Sequence, residues 1–232
     1  LLAGLYHRYL EENRWQISQR TDVAGERPEE ISLWTTRDLL DETAKQYLSS
    51  VQDQSLLNSP IEEWAPITTP NSPATEGLRP TLYDFLMHRA IDYFSNDQSY
   101  LNEPVYKYVL REESALAPAQ DFVETAFSGQ DSAAYTLQVL HLLQDLLRVR
   151  LENDNAAALL DLDLKRLQFA YQKLVNAEKE SLYTQALQST IEQYQGTPEV
   201  MQAWYALAQH YQQLGQSYQP FGDTTHRWKA KE

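Results

Sequence analysis

"TPEVMQAWYALAQHYQQLG", Thr197–Gly215, is the stretch on which the reading of this chain turns. Thr197 is a residue type whose hydroxyl caps helix N-termini, and Pro198 suits the first helical position, where its missing N–H would have no partner. Gly215 is placed to stop the helix, because glycine takes up the left-handed C-terminal turn without a Cβ penalty. Between these ends Trp204, Leu207, Ala208, Tyr211 and Leu214 recur three or four apart, the period of one apolar helix face. Trp204 is therefore expected in a buried ridge, with small Ala208 letting a partner helix come close.

Composition extends that reading to the whole chain. Its 232 residues suffice for one large or two small domains with a true core. Glycine is scarce at 7 residues while Ala, Leu, Gln and Glu abound, which is helix composition. With no cysteine, disulfides, thiolate metal sites and cysteine nucleophiles are excluded. The formal charge of -14 repels phosphate backbones and anionic membrane surfaces, so nucleic acid is not an expected partner. No apolar run approaches the ~18 residues of a spanning helix, and no signal-peptide pattern is present. The chain opens Leu-Leu-Ala-Gly, already in helical register, as a piece of a longer polypeptide would.

Periodicity divides the chain into helices. Leu2, Leu5, Tyr6, Tyr9, Leu10, Trp15 and Ile17 predict a helix over 1–20, and 21–31, with Gly25 and Pro28, a loop. Thr35 with Asp38, and Thr81 with Asp84, have the spacing of capping boxes. They predict helices over 35–54, with a stripe of Leu40, Tyr47, Leu48 and Val51 and an Asp41–Lys45 pair on its wet face, and over 79–94. Between them Leu56–Pro80 holds five prolines and is read as a long loop lying across helices, packed by Leu57, Ile61, Trp64 and Ile67. Residues 103–114 are ambiguous between strand and short helix, and 117–127 predict a short helix closed by Gly129. From Ser132 four helices follow, over 132–152, 156–177, 179–195 and 198–214. The short joints between them make antiparallel neighbours. The expected fold is all-α: antiparallel hairpins stacked as one array over 1–232, with a subdivision near residue 130.

The residue types that carry chemistry are thinly placed. The five histidines, His7, His88, His141, His210 and His226, include no two that lie three or four apart. Asp84, His88 and Asp92 align on one face of the 79–94 helix and are read as a solvated polar face. Asp161 and Asp163 lack the further ligands and glycine of a calcium loop. No phosphate loop or nucleophile elbow occurs. Glu11/Glu12, Glu29/Glu30, Glu62/Glu63 and Glu112/Glu113 are adjacent carboxylates, and glycosidases do use two carboxylates with stacking aromatics. Most of the 15 Tyr and 5 Trp, however, fall on apolar stripes; Trp64 and Trp228, in irregular polar segments, are the exceptions. No catalytic, cofactor or metal residue is nominated.

Two resemblances follow. The Trp204, Leu207, Ala208, Tyr211 and Leu214–Gly215 pattern resembles the first helix of a tetratricopeptide repeat, and Ala186, twelve residues before Pro198, agrees with the small residue of a preceding second helix. Thr190 and Gln193 depart from that pattern, and "QSYQPFGDTTHRWKAKE" gives no matching second helix. This implies one and a half degenerate repeats in a right-handed superhelical stack, whose grooves hold protein segments. "LLAGLYHRYLEENRW", "ISLWTTRDLLDETAKQYLSSV" and "LRPTLYDFLMHRAIDYF" resemble the N-terminal helical region of large exported alpha-2-macroglobulin-like proteins of Bacteroidetes, most clearly over residues 1–110. Members of that family trap proteases by a cleaved bait segment and, in many, a Cys-Gln thioester. This chain, without cysteine, carries none of that equipment. The resemblance implies a non-catalytic accessory module in the periplasm or at the outer membrane, contacting other domains of its own polypeptide or an envelope protein. Glycan-uptake outer-membrane lipoproteins of the same bacteria, or a generic tetratricopeptide adaptor, are the alternatives.

Overall fold

The computed structural model describes residues 1–20, 27–68, 77–96, 108–216, 229 and 231. His226, Trp228, residues 103–107 and most of the tail after Gln216 lie outside these. Among the described residues the regular structure is helical, with no strand beyond one isolated bridge, so the all-α expectation holds. The chain forms two compact units: 1–107 with 129–142, and 108–128 with 143–232.

In the first unit the expected 1–20 helix is two helices, α1 (Leu2–Glu12) and α2 (Arg14–Ser18). Asn13 separates them at φ -111°, and both its side-chain Nδ2 (2.9 Å) and its backbone N–H (3.1 Å) donate to the Tyr9 carbonyl. Asparagine amides compete with the helical ladder in this way. The break also reassigns the stripe. Ala3, Leu10 and Ile17 are buried, whereas Leu2, Leu5 and Trp15 are exposed, Trp15 at 78%. Leu10 and Ile17 form a core cluster with Trp34, Leu39 and Leu40.

Both capping boxes form. Asp38 accepts from the Thr35 N–H at 2.9 Å and opens α3 (Thr36–Ser50); Asp84 accepts from the Thr81 N–H at 3.0 Å and opens α4 (Leu82–Ser95). Asp41 makes no ion pair with Lys45. The carboxylate of α3 that pairs is Glu42, which accepts from Arg27 at 2.7 Å and from Gln46 Nε2 at 2.7 Å.

The proline-rich connection is ordered where described. Two short 3-10 turns, Gln54–Asn58 and Ile61–Trp64, lie against α4. An antiparallel bridge joins Pro60 to Thr81, with Ile61 N–H donating to Pro80 at 3.0 Å and Leu82 N–H to Ser59 at 2.9 Å. Leu57, Ile61 and Trp64 are half-buried here, but Ile67 is exposed. This cover over the start of α4 overturns the solvated-face reading. Asp84 and His88 are buried, to 1% and 2% exposure, and only Asp92 is exposed.

The second unit contains a 3-10 turn at Glu113–Leu116, α5 (Ala119–Glu124), the later turns of α6 (Tyr135–Leu151), α7 (Ala156–Lys173), α8 (Lys179–Gln193) and α9 (Val200–Gln216). The orphan carbonyls at the end of α5 are satisfied by side chains of α6. Gln144 donates to Phe122 O at 2.8 Å and Thr125 O at 2.7 Å, and Arg148 donates to Val123 O at 2.6 Å. Asn155 caps α7 by accepting from the Ala158 N–H at 2.9 Å. Arg166 is buried at 1% exposure: it pairs with Asp163 at 2.7 Å, donates to Ala115 O at 2.7 Å, and lies 4.8 Å from the centre of the Phe122 ring. Asp163 is thus an ion-pair partner in the core.

Around the opening stretch the ends differ from expectation. Thr197 does not cap: its hydroxyl donates to Tyr194 O at 2.9 Å, and 197–199 form a turn ahead of α9. Gly196, at φ +89°, is the residue in the left-handed region that reverses the chain after α8. Gly215 lies within α9.

Candidate functional site

Two places stand out once the core is accounted for, one in each unit. The first is the outward face of α9. The side this helix buries carries Ala203, Leu207 and His210. Ala203 is fully buried, as it would be where helix backbones come close, and α9 meets both α8 and α7. His210 accompanies the stacked pair Tyr171 and Tyr183 (4.4 Å between centroids), meets both rings edge-on at 5.2 and 4.9 Å, and its Nε2 lies 3.1 Å from the Thr184 hydroxyl. Burial pushes the Tyr183 hydroxyl up to about 12, so it stays protonated and its ring serves packing.

With that side inward, the bulky residues point out. Met201, Trp204 and Tyr205 are 67%, 52% and 66% exposed. Trp204 is therefore not the ridge residue its spacing predicts. These three positions are i, i+3 and i+4, so they share one helix face. The 17-residue helix carries no Asp, Glu, Lys or Arg to break that face. In a chain of charge -14 this is a local departure from the general surface chemistry.

The second place is a cleft of about 290 Å³ in the first unit, among α1, α2, α3 and α4. Its apolar part is Leu10, Leu40, Tyr47 and Tyr93, all buried. Tyr47 and Tyr93 stack at 4.6 Å, and the Tyr93 hydroxyl lies 3.4 Å from both the Leu40 carbonyl and the Tyr135 hydroxyl. Burial raises the Tyr93 hydroxyl far above its usual range, with the Tyr135 hydroxyl adding to the effect, so Tyr93 stays protonated at neutral pH. His7 meets Tyr93 edge-on at 5.6 Å. Arg14, Arg89, Glu11, Asp92 and Asn96 complete the lining.

Among the described residues, the histidines and paired carboxylates weighed from the sequence are spread over both units. Among the described residues no three His, Asp or Glu stand together as a metal set. Glu11/Glu12, Glu29/Glu30 and Glu62/Glu63 are exposed surface pairs. Glu112 accepts from the Tyr108 hydroxyl at 3.2 Å and Glu113 from Asn176 at 2.8 Å, so that pair ties the chain down. Trp64 is half-buried in the turn that lies against α4. No family model, no curated protein and no solved structure matches this chain.

Proposed function

We propose that this chain is a non-catalytic helical module that binds protein, and that α9 supplies the contact face. The observation that carries this reading is the uncharged, exposed Met201–Trp204–Tyr205 patch. Aromatic and methionine side chains on an uncharged surface are the chemistry that protein interfaces concentrate at their centres. The expected occupant is a helix or hairpin presenting an aliphatic stripe. α7, α8 and α9 are read as part of a degenerate tetratricopeptide stack of antiparallel hairpins, in which each helix meets the next and the one after. The contacts of α7 with α8 and α9, and of α8 with α9, support it. Repeats of this kind leave an apolar face at the end of the stack for a following element. The parent is proposed to be an exported alpha-2-macroglobulin-like polypeptide, with this chain bracing its neighbouring domains in the cell envelope; the all-helical fold and the three resembling segments support that placement.

The test is direct. Photo-crosslinking from position 204 is expected to trap a neighbouring domain of the parent or one envelope protein. Trp204→Gln with Tyr205→Gln should abolish that adduct from a second crosslinker at Met201 while leaving circular dichroism unchanged. An adduct that survives the double variant, or reproducible turnover of peptide or glycoside substrates by the isolated chain, defeats the proposal. The exposed rings also favour one second reading, stacking on sugar faces, as in a glycan-uptake lipoprotein. Binding on a glycan array that is lost in the same double variant would select it.

A further inference from the structure

We infer that the cleft of the first unit is a binding site for a small zwitterion of the free amino-acid class, a site independent of the α9 surface. In a chain with 33 acidic and only 19 Lys and Arg residues, this cleft gathers two guanidinium groups. Arg14 and Arg89 both line the cleft, and among the described residues neither makes an ion pair. The break at Asn13 puts Arg14 on a different helix from Glu11, its nearest acidic neighbour of the lining. Arg89 is packed against Phe85 and Gly4. Its guanidinium carbon lies 5.7 Å from the Phe85 ring centre, and Nη2 sits where a Cβ on Gly4 would come within 3.0 Å. A guanidinium packed in this way keeps its forked donors oriented for a planar carboxylate.

The rest of the lining narrows the ligand. Glu11 and Asp92 face the same space, which disfavours a simple anion and suits a ligand that also carries an ammonium group. His7 Nδ1 is buried with no hydrogen-bond partner among the described residues, and buried polar atoms in folded proteins nearly always have one. The imidazole lines the cleft, so its signals report on an occupant. Leu10, Leu40 and Tyr47 receive an apolar side chain. A volume of about 290 Å³ stands at the small end of ligand pockets, the scale of a metabolite. The carboxylate lies between Arg14 and Arg89, the ammonium group toward Glu11, and the side chain on the tyrosine floor.

The experiment uses the full chain and the twenty common L-amino acids as probes, at up to ~10 mM, read by thermal shift and by the His7 imidazole NMR signals. At least one amino acid should raise the midpoint and move His7. Its decarboxylated amine and its deaminated acid should each bind about tenfold more weakly, the loss for one charged contact. Arg14→Gln, at an exposed position, should weaken the amino acid and the deaminated acid but not the amine. Gly4→Ala should displace the Arg89 guanidinium and weaken binding while leaving the thermal midpoint of the free protein at or above the parent value, so a loss of affinity there cannot be a loss of fold. The inference is overturned if no amino acid moves His7, if acid, amine and amino acid bind alike, or if Arg14→Gln and Gly4→Ala both leave affinity unchanged.

Discussion

Arg166→Met removes one half of the buried ion pair of the second unit, and the structure sets its cost. Arg166 makes three contacts that methionine cannot: the 2.7 Å pair with Asp163, the 2.7 Å bond to the Ala115 carbonyl, and the cation–ring contact with Phe122. The guanidinium is 1% exposed and the Asp163 side chain 8%, so water does not replace what is lost. Leaving a buried carboxylate without its cation costs about 3–5 kcal/mol. Asp163→Leu in the same chain removes the stranded charge, and only the Ala115 carbonyl then lacks a partner, at about 1–3 kcal/mol. The double variant should therefore be more stable than Arg166→Met alone, although it carries one more substitution. Urea unfolding followed by far-ultraviolet circular dichroism measures both. With two compact units the curve is fitted for two transitions, and only one should move. A loss below ~1 kcal/mol in Arg166→Met, or a double variant less stable than the single one, would refute the assignment of Arg166 as the clamp that holds the 113–116 turn to α7.

Three further outcomes are expected. Leu207→Ala should cost about 2–5 kcal/mol and Trp204→Ala about 1 kcal/mol or less, the reverse of what their sizes suggest; equal losses in urea unfolding would mean that α9 is turned about its axis. Thr81→Ala should cost about 1–2 kcal/mol through the lost cap of α4, and a Thr81→Ser variant that fails to recover most of it would exclude the hydroxyl as the cause. Glu42 is held below its ordinary value of 4.5 chiefly by the Gln46 amide and then by Arg27, against the opposing effect of burial. Because the folded value is the lower one, its stabilisation is complete above about pH 4.5 and is lost as pH falls through the folded value. The stability difference between the parent and Glu42→Gln should stay flat from neutrality down to that point and shrink below it, whereas a difference independent of pH would contradict the assignment.

How much of this was legible in the sequence depends on whether the signal is local. The capping boxes at Thr35–Asp38 and Thr81–Asp84 could be read because all their atoms lie within four residues, and both form. The all-α class could be read because the helical period recurs along the chain. The phase of each helix was less secure. On α9 apolar side chains occur nearly all round, so more than one stripe can be drawn, and the large residues attract the eye. Packing chose the side of Ala203, Leu207 and His210, where the histidine fits edge-on against the Tyr171–Tyr183 pair. The same error of phase placed Trp15 and Leu5 inside when both are exposed. On α4 the polar residues Asp84 and His88 were assigned to water because nothing local announces that the 59–61 segment bridges back over the start of that helix.

The cleft was illegible for a stronger reason. His7, Arg14, Tyr47 and Arg89 come from four helices and are separated by connections whose lengths carry no rule, so no spacing along the chain could join them. A search for motifs finds chemistry only where one loop or one helix face holds all the reactive groups. Here the groups meet through packing, and what brings them together is a set of backbone facts: Asn13 ending one helix and starting another, and Gly4 leaving room for the Arg89 guanidinium. Glycine inside α1 sacrifices about 1 kcal/mol of helix propensity relative to alanine. If that loss serves only the placing of Arg89, then Gly4→Ala should stabilise the free protein and weaken the ligand in one step. A structural role alone would give the first effect without the second.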